Sequence, residues 1–225
     1  MLPNLEQLPA DIRQSTKAVV WKYEQRAGDS KPTKVPYQPH RPNAKAAVDK
    51  PKTWGSFQDA FDTVAGGKAD GVGIVLGDGL VGVDLDQVRN PHTGSITAMG
   101  QAVIKTLDSY TEISPSHAGI HVLVHGSLPP GRRRHAHGIE MYSDSRYFTI
   151  TGQHLPETPT VIHERTEQLR VIHTQVFRRT TRPTTTMAAR GDIVGAHRCR
   201  PARESDDGGE RRSLRGALGG GSLRL

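Results

Sequence analysis

Two acidic residues, Asp84 and Asp86, stand at alternate positions in the segment VGVDLD, which covers residues 81–86. Alternate side chains of a β-strand share a face, so both carboxylates point to the same side as Gly82, which leaves room beside them. Like charges this close repel each other unless a cation lies between them. Mg²⁺ is commonly held by one or two carboxylates plus substrate phosphates. The motif therefore indicates a divalent-cation site, with a pair of solvated acids at a strand end as the alternative.

A turn followed by a histidine forms the second motif, SPSHAGIH, at residues 114–121. Backbone N–H groups and hydroxyls in such turns bind anions, so Ser114 and Ser116 are candidate phosphate contacts. His121 opens a strand whose apolar neighbours alternate inward, which predicts that its ring lies on the exposed face and donates to a phosphate oxygen. The alternative is an ordinary histidine at the surface or at the edge of the core.

A third motif combines an acid with a later arginine. In the segment GIEMY of residues 138–142, Glu140 shares a strand face with Gly138 and Tyr142. A third carboxylate facing the aspartate pair would complete a site for two cations, which clamps the attacking and leaving oxygens of an in-line phosphoryl displacement. Arg146 follows in the segment SDSRYFTITG and can bind phosphate bidentately.

The elements that must position these motifs follow from periodicity and turn chemistry. Ser56 can cap a helix over 54–65, in which Phe57, Phe61 and Val64 recur at helical intervals. The segment 29–52 is too rich in proline for regular structure. The other predicted elements are a strand at 18–25, a hairpin at 71–86, helices at 96–107 and 163–177, a strand pair at 110–114 and 120–126, and a second pair at 139–142 and 147–151. This order predicts an α+β domain with a mainly antiparallel sheet.

The order of the motifs, DLD, then SPSxxGxH, then GIE with RYFTxTG, resembles the primase–polymerase (prim-pol) domain of the archaeo-eukaryotic primase superfamily. It is similar in particular to the bifunctional forms found in phages, plasmids and integrated elements. The resemblance covers residues 19–177, including the segments KPTKVPY and TWGSFQDA. It implies an RRM-like, mainly antiparallel sheet flanked by helices.

The resemblance also implies roles for individual residues. Two divalent cations, Mg²⁺ or Mn²⁺, would be held by the acids of the first and third motifs, which are Asp84, Asp86 and Glu140. The phosphates of the incoming nucleotide would be contacted by His121 with Ser114 and Ser116 beside it, and further nucleotide or phosphate contacts would come from Arg146 and Lys34. One departure is His117, at a position where family members often carry glycine.

The activity implied by the resemblance is DNA-directed nucleotidyl transfer, as primer synthesis, primer extension or both. Its partners would be a single-stranded DNA template or primer and nucleoside triphosphates. Family members often continue into a helicase domain, so a replicative helicase would be encoded separately or lost from this chain. Two alternatives remain, a catalytically silent nucleic-acid-binding module and a metal-dependent nuclease or replication initiator. Carboxylates where RRM proteins carry base-stacking aromatics favour the enzyme.

Composition narrows the class of protein and of partner. The 225 residues carry a net charge of +7, which favours a polyanionic partner. The cluster of Arg132, Arg133 and Arg134 is a candidate contact to a nucleic-acid backbone, with a solvated basic loop as the alternative. The single cysteine, Cys199, excludes a disulfide framework. No apolar run approaches the length of a membrane span, so we expect no membrane partner and a cytoplasmic location in a bacterial or phage-infected cell.

The last 45 residues differ in composition from the rest of the chain. Residues 181–225 contain nine arginines and five acids, with no lysine and no aromatic side chain. Such a segment cannot bury enough surface to offset its ordering entropy. We therefore predict a catalytic domain at 1–180 and a disordered tail at 181–225. The tail is either a flexible basic extension or the product of a reading-frame slip or truncation, and both interpretations stay open.

Overall fold

The computed structural model describes residues 1–25, 27–28, 31–130 and 138–177. The predicted tail, and with it Cys199, lies outside the described residues, as does the arginine cluster of Arg132, Arg133 and Arg134. The strands are β1 (Ala18–Glu24), β2 (Thr33–Gln38), β3 (Arg41–Lys45), β4 (Gly71–Val75), β5 (Leu80–Leu85), β6 (Thr111–Ile113), β7 (Ile120–His125), β8 (Ile139–Tyr142) and β9 (Tyr147–Ile150). The α-helices are α1 (Ala10–Arg13), α2 (Phe57–Ala65), α3 (Ala98–Leu107) and α4 (Thr166–Phe177).

The strands form two antiparallel sheets. The first sheet has five strands in the order β3-β2-β1-β4-β9, and the second has four in the order β6-β7-β5-β8. Every pairing between the named strands is antiparallel. The predicted α+β class with mainly antiparallel strands is thus confirmed, although the strands are divided between two sheets.

Two predicted strand pairs are wrong because the chain changes sheet between their members. At 71–86, Gly77 and Leu80 form a single bridge, after which β4 and β5 part into different sheets. Three successive residues with positive φ, Gly77, Asp78 and Gly79, make this turn. The strands β8 and β9 part in the same way. Alternating hydrophobicity identifies a strand without identifying its partner, so adjacency in the sequence is a poor guide here.

The segment 29–52 contains regular structure, contrary to the prediction from its prolines. The strands β2 and β3 pair with a register shift between Tyr37 and Gln38. Pro39 lies in the turn between them, and Pro42 lies on β3, which is an edge strand. Turns, bulges and edge strands are the places where a sheet tolerates proline.

The helix α2 covers one part of the first sheet. As predicted, Ser56 caps it: the Ser56 hydroxyl accepts from the Asp59 N–H at 3.1 Å, and the Asp59 carboxylate accepts from the Ser56 N–H at 3.1 Å. The helix buries Phe57, Ala60 and Val64 in a core shared with β1 and β4.

The second sheet has one face in the core and the other turned toward the first sheet. On β5, Val81, Val83 and Leu85 pack with residues of β7, β8, α3 and α4, which confirms the predicted inward alternation. On the opposite face, Leu123 and Tyr142 pack with residues of the first sheet. The acidic positions of β5 therefore lie where the two sheets meet.

None of the helices within the described ranges is both long enough and apolar enough to cross a bilayer.

Candidate active site

Three predicted site residues lie side by side across the second sheet. Asp84 on β5 is directly opposite His121 on β7 and directly opposite Glu140 on β8. Opposite residues of an antiparallel pair point to the same side, with Cβ atoms about 4.5–5.5 Å apart. Strand register alone therefore brings together residues from all three sequence motifs.

The strand β9 of the first sheet closes one side of this group. The Thr149 carbonyl on β9 lies 3.1 Å from His121 Nδ1. The Phe148 ring packs on Gly82, where any β-carbon would collide with it. Gly82 therefore makes room for Phe148, and the prediction that it leaves space beside the acids is wrong.

Between the two sheets lies a cavity of about 340 Å³. Five strands and the turn between β8 and β9 contribute to its wall. Its lining residues are Lys34, Asp84, His121, Glu140, Tyr142, Arg146, Tyr147, Phe148 and Thr149. Five of them, Lys34, Asp84, His121, Glu140 and Arg146, are residues that the sequence singles out. Carboxylates and cationic side chains thus share one cleft, which we call the acidic cleft.

The carboxylates of the acidic cleft repel one another. Burial is the main influence on Asp84 and raises the pKa of its carboxyl group, while attraction to His121 opposes that effect. The negative charges of Asp86 and Glu140 raise the same pKa further, and Lys34 lowers it. An additional cation at this position would relieve the repulsion.

Glu140 is oriented by its own strand. The Tyr142 hydroxyl donates to Glu140 Oε2 at 2.7 Å. Burial raises the pKa of Tyr142, and the contact with Glu140 adds to this, so the phenol remains a donor. The Arg146 guanidinium lies 4.8 Å from the centre of the Tyr142 ring. Glu140 and Arg146 are therefore arranged around one tyrosine.

Lys34 reaches the cleft from the first sheet. Its Nζ lies 5.7 Å from the centre of the Trp21 ring, and the Tyr147 hydroxyl donates to its backbone carbonyl at 2.8 Å. Burial lowers the pKa of Lys34, and the carboxylates of Asp84 and Asp86 partly offset this. Lys34 and Arg146 are thus two cationic side chains beside the carboxylates, as a phosphate contact requires.

His121 is buried, whereas the sequence predicts it on an exposed face. It is 7% exposed because β9 covers it. Its Nε2 lies 3.8 Å from Asp84 Oδ1, and its Nδ1 lies 3.6 Å from Glu112 Oε1. Burial alone would lower the pKa of His121, but the interaction with Glu112 and the charge of Asp84 outweigh it and raise the pKa.

Glu112 is a site residue that sequence reasoning missed. It lies on β6 directly opposite His121 and is 0% exposed. The only signal in the sequence was its position, two residues before the second motif on a predicted strand. That position does not indicate whether the side chain is buried. Two of its hydrogen-bond donors, the N–H groups of Thr151 and Gly152, come just after β9, which no local pattern connects to β6.

Two other predicted residues, Asp86 and Ser116, lie at a neighbouring cavity. Asp86 follows the end of β5, and its N–H donates to the Gly138 carbonyl at 2.7 Å. With Ser116, Asp86 lines a cavity of about 560 Å³ that is also lined by Lys31 and Arg89. Ser114 is buried, and its hydroxyl lies 3.0 Å from that of Ser116.

The turn of the second motif has a conformation that explains its composition. A β-carbon at Gly119 would lie 2.8 Å from Ser114 Oγ and 3.2 Å from the Leu85 carbonyl, so glycine lets the turn pack on the end of β5. His117 has a φ of 59°, in the left-handed region that favours glycine. Its carbonyl accepts from Arg89 at 2.8 Å.

Whether the acidic cleft could hold a divalent cation depends on the carboxylates of Asp84 and Glu140. Within the described ranges, no group of three or more His, Cys, Asp or Glu side chains is arranged to hold a metal ion. Asp84 and Glu140 nevertheless supply two opposed carboxylates, with Asp86 near enough to influence Asp84. Mg²⁺ is usually bound through one or two carboxylates together with water and substrate phosphates, so this donor set fits it.

Comparison with known proteins agrees with the motifs. No family model matches the chain. The chain is 35% identical over 142 residues to a protein of Nitratiruptor phage NrS-1 named DNA Primase-polymerase. The match covers 60% of this chain and 19% of the phage protein, so the chain spans about one fifth of that relative's length. The resemblance to primase–polymerases that the three motifs predict is thereby confirmed.

Proposed function

We propose that this chain catalyses DNA-directed nucleotidyl transfer, as primer synthesis, primer extension or both, in the replication of a phage, plasmid or integrated element. The observation that carries the proposal is that Lys34, Asp84, His121, Glu140 and Arg146 line one cavity. The name of the phage relative supports the reaction class. The match covers only about one fifth of the relative, so the activity of the whole relative is carried to this chain only as a proposal.

Metal binding would fall to the carboxylates. Asp84 and Glu140 face each other across β5 and β8, and Asp86 stands beside them at the end of β5. Two divalent cations, Mg²⁺ or Mn²⁺, would lower the pKa of the attacking hydroxyl and stabilise the pyrophosphate leaving group. The carboxylates would hold them with few other protein ligands, because substrate phosphates complete the shell.

The triphosphate would be bound by the cationic side of the cleft. Lys34 and Arg146 approach it from β2 and from the turn between β8 and β9, and His121 presents Nε2 from β7. Ser114 and Ser116 flank the same strand end and can donate hydroxyl hydrogens to phosphate oxygens. These residues position the α-phosphate for in-line attack, so most of the rate would come from orientation and charge neutralisation.

We infer a polynucleotide partner from the positive net charge of the chain. A net charge of +7 suits a single-stranded template or primer. Arg132, Arg133 and Arg134 remain proposed backbone contacts outside the described residues. A replicative helicase as a further partner and action inside the bacterial or phage-infected cell complete the proposal.

The test is a synthesis assay with the full 225-residue chain. A single-stranded DNA template is incubated with Mg²⁺ or Mn²⁺ and labelled nucleoside triphosphates, with and without a primer. The control is the Asp84→Ala/Asp86→Ala variant. Products made by the unmodified chain and absent from the control support the proposal, and the primer-free reaction separates priming from extension.

Two other outcomes would contradict the proposal. Salt-sensitive DNA binding without synthesis under any of these conditions would favour a silent binding module. Metal-dependent shortening of an end-labelled template, lost in the control variant, would favour a nuclease.

A further inference from the structure

Glu112 is a fully buried carboxylate that accepts hydrogen bonds from three of the described residues. The Tyr110 hydroxyl donates to Glu112 Oε2 at 3.0 Å. The Thr151 N–H donates to Oε1 at 3.0 Å, and the Gly152 N–H donates to Oε2 at 2.9 Å. A buried charge is retained only where hydrogen bonds and opposite charge compensate its loss of water. The position is therefore built for an anion.

The histidine beside this carboxylate is His121. Glu112 Oε1 lies 3.6 Å from His121 Nδ1, and the two residues are directly opposite on β6 and β7. The same Nδ1 lies 3.1 Å from the Thr149 carbonyl. A carbonyl oxygen only accepts, so Nδ1 carries a hydrogen and the other ring nitrogen, Nε2, is turned toward Asp84 in the cleft.

Glu112 influences both the donor and the acceptor of the hydrogen bond from His121 Nδ1 to the Thr149 carbonyl. Its negative charge lies beside the Nδ1 hydrogen. Its two backbone contacts hold Thr151 and Gly152, which come just after Thr149 on the chain. The carboxylate thus fixes the segment that supplies the acceptor for His121 and favours the ring orientation that uses it.

We propose that Glu112 is a positioning residue that holds the His121 ring with Nδ1 toward the protein and Nε2 toward the cleft, where Nε2, when it carries a hydrogen, donates to a phosphate of the incoming nucleotide. The inference rests on the proposed function for the identity of the phosphate ligand. The orientation of the ring is independent of that function. A residue that merely ties β6 to the end of β9 would stabilise the fold without affecting the ring.

The first test uses the unmodified full-length chain without metal. A long-range ¹H–¹⁵N spectrum of the labelled protein shows which ring nitrogens carry hydrogen, and the spectrum of His121→Gln identifies the His121 signals. We expect hydrogen on Nδ1. Hydrogen on Nε2 alone would overturn the proposal, and this measurement requires no Glu112 variant to fold.

The second test compares Glu112→Gln with the matched control Tyr110→Phe. Glu112→Gln removes the charge at constant size, whereas Tyr110→Phe removes one hydrogen bond to the same carboxylate and leaves its charge. We expect Glu112→Gln to alter the His121 signals and to raise the KM for thymidine triphosphate by about tenfold, as for one charge-assisted hydrogen bond, with a much smaller change in kcat. Tyr110→Phe should do neither.

A double-variant cycle isolates the path of the effect. If Glu112 acts through His121, then Glu112→Gln adds nothing to the KM of His121→Gln. Two results would mean that Glu112 only stabilises the fold and does not position His121. One is that Glu112→Gln raises the KM equally in the unmodified chain and in His121→Gln, and the other is that Tyr110→Phe raises it as much as Glu112→Gln does. If the chain synthesises no DNA at all, the proposed function fails, while the ring spectrum and its response to Glu112→Gln still decide the positioning role.

Discussion

Asp84 on β5 lies directly opposite Glu140 on β8, so two carboxylates face each other across neighbouring strands at the meeting of the two sheets. Like charges at opposite positions destabilise a sheet. Such a pair is therefore retained at a cost to folding, as expected where function requires closely spaced acids.

The first prediction is that Asp84→Asn removes activity and raises thermal stability. Activity should fall by about 10²–10³ or more, as for loss of one electrostatic contact to the reacting phosphate. Because burial raises the pKa of Asp84, the ionised carboxylate opposes folding at neutral pH. The melting temperature should therefore rise, and the rise should shrink as the pH falls and Asp84 becomes protonated in the folded and the unfolded protein.

The exposed Asp78 provides the control for that measurement. Its side chain is 85% exposed and pairs with Lys17 at 2.5 Å, so Asp78→Asn should change stability by less than about 0.5 kcal/mol. A lower melting temperature for Asp84→Asn than for the unmodified chain would mean that the carboxylate is compensated in the fold.

The second prediction concerns the contact between Gly82 and Phe148. Gly82→Ala places a methyl group against the Phe148 ring, which must move, and overpacking of this kind costs about 1–3 kcal/mol. Urea denaturation should show this loss. Phe148→Leu removes the ring that the new methyl group would meet. Gly82→Ala should therefore lower the free energy of unfolding by less in the Phe148→Leu background than in the unmodified chain. Strictly additive losses would show that the two positions do not share the strain.

Much of this arrangement could be predicted from the sequence. The alternation of VGVDLD put its apolar residues in the core and its acids on the other face, and the cap at Ser56 placed the start of α2. These features depend on neighbours within a few positions. Arg146 was a candidate because an arginine can bind phosphate bidentately, whereas Lys34 entered only through the family resemblance.

What the sequence did not reveal depends on distant partners. The division of β4 from β5 and the burial of Glu112 follow from pairings between segments far apart in the chain. The hairpin of β2 and β3 was missed because the effect of a proline depends on which side of a strand is paired.

The third prediction is that Arg146→Lys fails to replace the arginine. Lysine keeps the charge but loses the planar fork and the stacking on Tyr142, so the KM for nucleoside triphosphate should rise by about tenfold. Arg170→Lys is the matched control, because Arg170 pairs with Glu167 on the exposed side of α4. Equal KM values for the two variants would remove Arg146 from the phosphate site.

The fourth prediction concerns DNA affinity. Binding of a labelled single-stranded oligonucleotide should weaken steeply with salt, with log Kd rising linearly against log salt concentration, because each phosphate contact releases counterions. An equal osmolality of a neutral solute should have little effect. A flat response to salt would contradict recognition through the DNA backbone.

The two crossings of the chain between sheets also bear on how the protein folds. The pairing of Val72 with Ile150 joins β4 to β9, and the whole second sheet lies between them in sequence. Contacts of such high sequence separation slow folding, because a long loop must close before they form. The first sheet cannot be excised as a continuous segment, because β5 to β8 interrupt it between β4 and β9. We therefore expect a slow, single cooperative transition in which the cleft appears only when both sheets are in place.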